Sequence, residues 1–436
     1  MTPTTATTTA APLTRWQRTC RGLLLRALAS LREGRVVVRD DEGAWTLGRV
    51  TDDCALAAEL RVTDGAFYPA ALFEQSAGVG RAFMAGWWRC DDPVALIRIL
   101  ARNEDALRRW TAPALSLLAP WHRFELWRRR NTIGHARRNI ADHYDLGNDF
   151  FAAFLDPSMT YSCAVFEDGD DDLAAAQRAK LDRVCRKLDL GPQDHVLEIG
   201  TGWGSFAVHA AKHYGCRVTT TTLSAEQARQ ARERVARHGL EARVTVVERD
   251  YRELDGLYDK LVSIEMIEAV GTQYYGAFFR RCSELLHPEG AMLLQAIVVD
   301  DRHYAHDARH VDYIKRYIFP GGVLPSPAVI AGHVARDTDF QAAHQEDLTA
   351  HYAETLRHWR LRLAEARPAL LAAGRDEAFL RAWEFYFLYC EGGFRERRVG
   401  LVQTLLVKPR CRSLPLLQPV AAPWPAAARC AGAGHG

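Results

Sequence analysis

Hydrophobic and polar positions follow a regular alternation from residue 173 onward. Short apolar runs typical of buried strands are separated by longer stretches in which apolar residues recur at helical spacing. The predicted strands are 195–199, 216–223, 244–247, 260–264 and 291–299. The predicted helices are 173–188, 206–213, 225–238 and 274–286. This rhythm indicates an α/β fold with a mostly parallel, doubly wound sheet.

The flanking regions have different patterns. Residues 35–100 alternate short β-like runs (35–39, 44–50 and 58–62) with turns, which predicts a small N-terminal α+β domain. Helices near 351–366 and 375–389 lead into a last strand at 400–407. We therefore divide the chain into a disordered N-terminus (1–13), an N-terminal domain (14–120), a basic linker (121–140), a larger domain (141–411) and a disordered tail (412–436).

Composition narrows the classes of protein. Hydrophobic residues make up 48% of the 436 residues and charged residues 25%, which predicts a packed core rather than disorder. The 56 basic and 54 acidic residues nearly balance, so a nucleic-acid partner is not expected. The apolar runs are shorter than the roughly 18 residues of a membrane span. The ten cysteines are scattered, which is typical of reduced thiols in a cytoplasmic protein.

Positive charge is concentrated near the N-terminus. Residues 1–140 contain 21 arginines against 14 acidic residues. Within 16–31, Leu24, Leu28 and Leu31 share one helical face close to several arginines, and 121–138 is also rich in arginine and tryptophan. This mixture is typical of a protein that rests on the anionic inner face of a membrane, although an ordinary solvated helix and linker fits equally well. The sequence leaves the oligomeric state open, a homodimer included.

A glycine-rich segment follows the strand at 195–199. Gly200, Gly202 and Gly204 allow a tight turn before the next helix, whose free N–H groups would face a ligand. A dinucleotide site would need its third glycine one residue later and an acid near the end of the next strand, which 220–224 lacks. The acid is Glu198 instead, within the loop motif. These features favour S-adenosylmethionine as the cofactor.

Several motifs then follow one another in a recognisable order. They are HYDLGNDFF at 143–151, MTYSCA at 159–164, GTGWG at 200–204, TLSAEQ at 222–227, DYR at 250–252, EAVG at 268–271, YIFPGG at 317–322 and GGFR at 392–395. Over about 140–408 the chain resembles the cyclopropane-fatty-acyl-phospholipid synthases, which include the mycolic acid cyclopropane synthase-like methyltransferases. Residues 83–91 also fit this resemblance.

The resemblance implies a Rossmann-like class I methyltransferase that uses S-adenosylmethionine. Its expected reaction adds a carbon unit to the cis double bond of an unsaturated acyl chain in a membrane phospholipid and forms a cyclopropane ring. Carried over by position, the cofactor-binding residues would be Tyr161, Ser162, Glu198, Gly200, Thr201, Gly202, Trp203, Gly204, Thr222, Leu223, Gln227, Tyr251 and Arg252.

The resemblance also implies a bicarbonate ion beside the reacting carbon, where it would remove a proton from the new methyl group. Its expected ligands are Cys163, Glu268, Gln295, Ile297 and Tyr352. One of them departs from the family, because Gln295 stands where the family has a histidine. Glutamine can donate a hydrogen bond to an anion but cannot carry charge or shuttle a proton.

Other functions stay open at this point. A poorly placed base would give a methyl- or methylene-branched chain instead of a ring, and related folds methylate small-molecule amines. An inert lipid-binding protein is disfavoured by the intact glycine loop, and a nicotinamide oxidoreductase by the missing strand-end acid. The retained Cys163, Glu268 and Tyr352, together with the basic N-terminus, favour the lipid substrate.

Overall fold

A computed structural model describes residues 12–108, 147–167 and 172–412. The N-terminal part forms a four-stranded sheet in the order β2-β1-β3-β4. Its strands are β1 (Gly34–Asp40), β2 (Gly43–Arg49), β3 (Ala57–Val62) and β4 (Trp88–Cys90). β1 pairs with β2 antiparallel and with β3 parallel, and β4 closes the sheet antiparallel to β3. The strands predicted at 35–39, 44–50 and 58–62 are confirmed.

Three helices cover this sheet. They are α1 (Arg15–Leu28), α2 (Phe67–Met84) and α3 (Pro93–Arg102). Thr14 begins α1 with a capping box, in which its hydroxyl accepts from the Gln17 amide and the Gln17 side chain accepts from the Thr14 amide. Asp92 caps α3 ahead of a proline, which fits the first turn of a helix. Apolar side chains from both layers are buried between them.

The larger part contains a seven-stranded sheet in the order β10-β11-β9-β8-β5-β6-β7. Its strands are β5 (His195–Ile199), β6 (Arg217–Thr221), β7 (Val244–Val247), β8 (Tyr258–Ile264), β9 (Leu286–Val299), β10 (Gln341–Asp347) and β11 (Val399–Val407). The five strands from β9 to β7 are parallel, and β11 and β10 are antiparallel additions at one side. The predicted α/β class with a mostly parallel, doubly wound sheet is confirmed.

Helices flank this sheet on both faces. They are α4 (Asn148–Phe154), α5 (Leu173–Lys187), α6 (Ser205–His213), α7 (Ala225–Arg237), α8 (Tyr275–Glu284), α9 (Asp301–Asp307), α10 (Pro327–Asp337), α11 (Thr349–Ala372) and α12 (Glu377–Arg395). The sequence pattern did not predict α4, α9, α10 or β10. Within the described residues β10 is a polar edge strand paired with β11 alone, and it has no alternating apolar face that a sequence pattern would reveal.

The two parts share one hydrophobic core. Phe385 of α12 lies 5.5 Å from Phe83 and 6.1 Å from Trp88, measured between ring centroids. Ion pairs add to this contact, since Glu396 accepts from both Arg98 and Arg102. None of the described helices combines the length and the apolar character needed to cross a bilayer. The expected N-terminal disorder up to residue 11, the basic linker and the tail from 413 lie outside the described residues.

Candidate active site

A polar cleft lies at the carboxyl ends of β5, β6 and β8, where ligands bind in open α/β sheets. Its cavity volume is about 200 Å³. The glycine loop forms one wall, with φ of +103° at Gly200, +52° at Gly202 and +83° at Gly204. These are left-handed conformations that favour glycine. The strand, turn and helix expected around the loop are therefore present.

Twelve of the thirteen predicted cofactor residues line this cleft. They are Tyr161, Ser162, Glu198, Gly200, Thr201, Gly202, Trp203, Thr222, Leu223, Gln227, Tyr251 and Arg252. Gly204 lies behind the loop, where an added Cβ would approach the Cβ of Ala231 to 3.2 Å. Its absent side chain thus permits the close packing of the loop on α7.

The floor of the cleft is a buried polar network. Thr220 Oγ1 donates to Glu198 Oε2 at 2.6 Å and also lies 2.7 Å from Thr201 Oγ1. Burial raises the pKa of Glu198 to about 8, against the smaller opposing effects of the Thr220 hydrogen bond and the Lys180 charge. A hydroxyl or ammonium donor of a ligand would stabilise the ionised carboxylate.

One side of the cleft offers flat surfaces to a planar base. The Arg252 guanidinium lies over the rings of Tyr251 and Tyr274, 5.5 and 5.7 Å from their centroids. Asp250 holds this guanidinium through an ion pair of 2.6 Å. Together with the glycine loop and Glu198, these groups fit the adenosine and amino-acid parts of S-adenosylmethionine.

A second, apolar cavity of about 610 Å³ adjoins the cleft. It extends between the four-stranded sheet with its helices and the larger part of the chain, and its volume is within the range of small-molecule sites. Its apolar lining includes Leu28, Leu60, Leu72, Trp88, Leu96, Leu356 and Phe385. Tyr161, Glu265 and Ala269 line both cavities, so they mark the place where the two meet.

The carboxylate of Glu265 at this junction is held by three hydrogen-bond donors. Its Oε1 accepts from the backbone N–H of Cys163 at 3.0 Å and from Gln295 Nε2 at 2.7 Å. Its Oε2 accepts from the Tyr352 hydroxyl at 2.6 Å. Glu265 follows β8 directly and has a φ of +52°, a strained conformation for a residue with a side chain.

The five predicted bicarbonate ligands come together, but their donors are used by the protein's own carboxyl groups. Cys163, Gln295 and Tyr352 contact Glu265, and the Ile297 N–H donates to Glu268 Oε1 at 2.5 Å. These donors therefore do not fit a separate bicarbonate ion, contrary to the expectation.

The two carboxyl groups differ in how well they are solvated by the protein. Burial raises the pKa of Glu265, while the Tyr352, Cys163 and Gln295 hydrogen bonds and the Lys180 charge act in the opposite direction. Burial and the neighbouring Glu265 raise the pKa of Glu268 to about 8. Glu268 Oε2 is buried without a hydrogen-bond partner among the described residues. Three hydrogen-bond donors stabilise the ionised form of Glu265, whereas Glu268 accepts from the Ile297 N–H alone among the described residues, so of the two carboxyl groups Glu265 is the better placed to carry the negative charge.

Sequence reasoning missed two charged residues of the site. One is Glu265, whose only sequence signal is its place directly after a buried strand, three residues before Glu268. The other is Lys180, a buried residue of α5 whose Nζ donates to Ser162 Oγ at 2.7 Å. Burial lowers the pKa of Lys180, and the charges of nearby carboxyl groups oppose this shift. Burial also keeps Cys163 a neutral thiol by raising its pKa.

Known proteins share this arrangement of sequence and fold. The family model described as mycolic acid cyclopropane synthetase matches residues 132–404. The chain is 41% identical over 344 residues to tuberculostearic acid methyltransferase UfaA1 of Mycobacterium tuberculosis (strain ATCC 25618 / H37Rv), covering 76% of this chain and 78% of the relative. It is 36% identical over 351 residues to the cyclopropane-fatty-acyl-phospholipid synthase of Escherichia coli K12, covering 80% of this chain and 87% of that one.

A solved structure agrees with these sequence matches. The crystal structure of mycolic acid cyclopropane synthase CmaA1 complexed with SAH and CTAB matches with a TM-score of 0.58 and 32% sequence identity. The match covers 62% of this chain and 98% of that one.

Proposed function

Since the chain belongs to the mycolic acid cyclopropane synthetase family and is an S-adenosylmethionine-dependent methyltransferase of fatty acyl chains, we propose that its substrate is an unsaturated chain of a membrane phospholipid. The proposed reaction adds one carbon unit to the cis double bond and closes a cyclopropane ring. The observation that carries this proposal is the junction of a polar, nucleotide-sized cleft with a large apolar cavity at Tyr161, Glu265 and Ala269.

The polar cleft is the proposed site of S-adenosylmethionine. When bound, this co-substrate supplies an electrophilic methyl group on a sulfonium cation. The glycine loop, Glu198 and the Arg252 guanidinium hold the molecule, and the cleft opens toward the apolar cavity at Tyr161. Holding the methyl group in line with a weakly nucleophilic alkene supplies much of the rate.

The apolar cavity is the proposed site of the acyl chain. Methyl transfer to an alkene leaves a carbocation, which water would quench, so the apolar lining protects it. Aromatic faces also stabilise a cation. The Tyr161 ring stacks with Phe319 at a centroid distance of 6.5 Å, and its hydroxyl lies 3.3 Å from that of Tyr386. All three residues line the apolar cavity.

Membrane contact is proposed for the N-terminal part, on the inner face of the membrane and in the cytoplasm. On α1, Trp16 is 56% exposed and Leu23 is 38% exposed, which are high values for large apolar side chains. Two of the helix's arginines are already paired, Arg18 with Glu42 and Arg21 with Asp40. Apolar side chains are therefore proposed to contribute to this contact together with the positive charge.

A second product is supported by one relative. The name of tuberculostearic acid methyltransferase describes methyl transfer rather than ring formation. A methyl- or methylene-branched acyl chain is therefore the alternative product. A small-molecule amine is less well supported, because the large cavity beside Glu265 is lined mainly by apolar side chains.

Mass spectrometry of acyl chains from cells that express the protein tests this function. We expect unsaturated phospholipid chains to gain the mass of one CH2 unit, and chromatography of standards to separate ring from branched products. Cells that express the Gly202→Val variant serve as the control. The protein purified from the same cells is tested for binding of S-adenosylhomocysteine. If it binds but the acyl chains of the cells keep their mass, the proposed substrate is contradicted.

A further inference from the structure

We propose that the Glu265 carboxylate replaces the bicarbonate ion and is the base that removes a proton from the transferred methyl group. This inference rests on the proposed function, because it names the base for the same reaction. It follows from where Glu265 lies, from what holds it, and from how its neighbours are oriented.

Glu265 occupies the position that the donors define. A carboxylate and a bicarbonate ion present a similar pair of oxygen atoms, and both can accept several hydrogen bonds at once. The Cys163 N–H, Gln295 Nε2 and Tyr352 hydroxyl all donate to Glu265 at 2.6–3.0 Å. Glu265 lines both the cleft and the apolar cavity, whereas Cys163 and Gln295 line neither of these two.

The backbone holds the side chain in this place. Glu265 has a φ of +52°, which places its side chain in a direction that extended backbone at the end of β8 would not give. Its N–H donates to the Gln295 carbonyl at 2.8 Å, so backbone and side chain are both tied to β9. Strained residues of this kind persist where the surrounding structure fixes them.

A chain of buried groups fixes the orientation of Gln295. The Lys187 ammonium can only donate, and it donates to Gln403 Oε1 at 2.7 Å. The Gln403 NH2 must therefore face Gln295 Oε1, which it meets at 2.8 Å. The Gln295 NH2 is left to donate to Glu265. This explains why a glutamine is sufficient at this position. Glu265 accepts the proton from the methyl group, and the amide only has to donate a hydrogen bond to Glu265.

The proposed step balances without another reactant. After methyl transfer the chain carries a carbocation and the cofactor sulfur is neutral. A C–H bond of the new methyl group breaks, its proton moves to a Glu265 oxygen, and its electron pair forms the C–C bond that closes the ring. If a hydride shift comes first, loss of the same proton gives a methylene group. Glu265 then releases its proton to water and regains its charge.

Bicarbonate dependence tests this assignment without any variant. Purified full-length protein is assayed with S-adenosylmethionine and vesicles of unsaturated phospholipid, in buffer freed of carbon dioxide and then with bicarbonate restored. We expect the same turnover in both conditions, because the base belongs to the chain. Turnover that falls at least tenfold without bicarbonate would overturn the inference.

Two variants of Glu265 complete the test. Glu265→Gln keeps the size of the side chain but removes the base, and we expect it to lose at least about 100-fold in kcat. Glu265→Gly suits the left-handed φ and opens a space lined by the same donors, so bicarbonate or formate should restore part of its activity. Glu233→Gln, an exposed carboxyl on α7, is the matched control and should keep full activity.

The outcomes separate this inference from the proposed function. Calorimetric titration with S-adenosylhomocysteine first establishes that each variant keeps the folded cleft. If wild-type protein forms no lipid product, the proposed function fails, and the inference fails with it. If the wild type is active and Glu265→Gln matches it, only the inference fails. A variant that does not fold leaves the decision to the bicarbonate measurement on the wild type.

Discussion

Gln295 Nε2 donates a hydrogen bond of 2.7 Å to Glu265 Oε1, and this contact joins the parallel part of the sheet to the junction of the two cavities. Gln295 is fully buried in β9, and Glu265 directly follows the neighbouring strand β8. A buried amide in a sheet needs a partner, and here the partner is a carboxylate at the junction of the cleft and the apolar cavity.

Removing this amide should move the pH dependence of the reaction. Gln295→Leu deletes a donor that stabilises the ionised Glu265, so the pKa of Glu265 rises further. Because the base acts in its ionised form, the variant should lose activity earlier than the wild type as the pH is lowered. A hydrogen bond to a charged group is worth roughly 1.5–3 kcal/mol, so we expect the acid limb of kcat to move up by about one to two pH units.

The pH profiles of the variant and the wild type check this shift. Gln345→Leu, on the edge strand β10, is the matched control and should keep the wild-type profile. A Gln295→Leu profile that only scales down, with its limb in the same place, would show that the amide does not act through Glu265.

Glu268 should make stability depend on pH. Its pKa is about 8 in the folded protein because of burial and the Glu265 charge, well above its ordinary value. The folded protein therefore holds this proton more tightly than the unfolded chain does. As the pH rises from the ordinary pKa of a glutamate to about 8, the wild-type protein loses stability, because a buried carboxyl group must either keep its proton or ionise without solvent. Glu268→Gln removes that loss. The free energy of unfolding of the variant minus that of the wild type should therefore increase by on the order of 2–4 kcal/mol from acid to alkaline pH.

Urea unfolding of both proteins at several pH values measures this gain. Glu233→Gln is again the control, since its carboxyl is exposed. A difference between Glu268→Gln and wild type that stays constant with pH would mean that Glu268 is not protonated in the folded protein.

The glycine loop gives a prediction about cofactor affinity. Gly202 has a φ of +52° and open space where a Cβ would be, so Gly202→Val acts through backbone strain and not through a clash. We expect calorimetry to show at least about tenfold weaker binding of S-adenosylhomocysteine, because β-branched residues avoid this conformation.

Gly239 provides a close control for this substitution. It also has a positive φ, +64°, and open space, but it does not line the cleft. Gly239→Val should cost similar stability and leave the affinity unchanged. If Gly202→Val and the wild type bind S-adenosylhomocysteine with equal affinity, the glycine loop does not contribute to the cofactor site.

The apolar cavity should set the length of the acyl chain that is accepted. Ala71 of α2 lines it, so the tryptophan of Ala71→Trp would fill part of the volume. We expect product analysis to show a shift toward shorter acyl chains with unchanged affinity for S-adenosylhomocysteine. Ala85→Trp, at the exposed end of α2, is the control. If Ala71→Trp keeps the wild-type chain-length distribution, the acyl chain does not enter this cavity.

Membrane binding should combine an ionic and an apolar contribution. Binding to anionic vesicles is expected to weaken as salt is added, because the Debye length shortens. Trp16→Ala should weaken binding at every salt concentration, since it removes a large exposed ring from α1. Co-sedimentation with vesicles measures both effects. If binding changes neither with salt nor with Trp16→Ala, α1 is not the membrane contact.

The sequence predicted the fold class because the strands of the parallel sheet are buried on both faces and appear as short apolar runs. Most predicted strands and helices agree with the structure to within a few residues. The exceptions have a physical cause. β10 is polar because it is an edge strand, and Lys187 appears as an ordinary surface residue until β10 and β11 cover it.

The choice between Glu265 and Glu268 could not be made from the sequence. Both carboxyl groups follow the same strand, and the resemblance pointed to Glu268 alone. Which one meets Cys163, Gln295 and Tyr352 depends on the left-handed backbone at Glu265 and on a tyrosine from α11 far along the chain. These are tertiary contacts, and no local pattern encodes them.

The fate of a labelled methyl group tests the central claim most directly. Purified protein is given S-adenosylmethionine that carries a fully deuterated methyl group, together with vesicles of unsaturated phospholipid, and the acyl chains are analysed by mass spectrometry. The account predicts a product that keeps two of the three deuterium atoms, because a base at the junction removes the third. Acyl chains without deuterium, or with all three atoms retained, would contradict it.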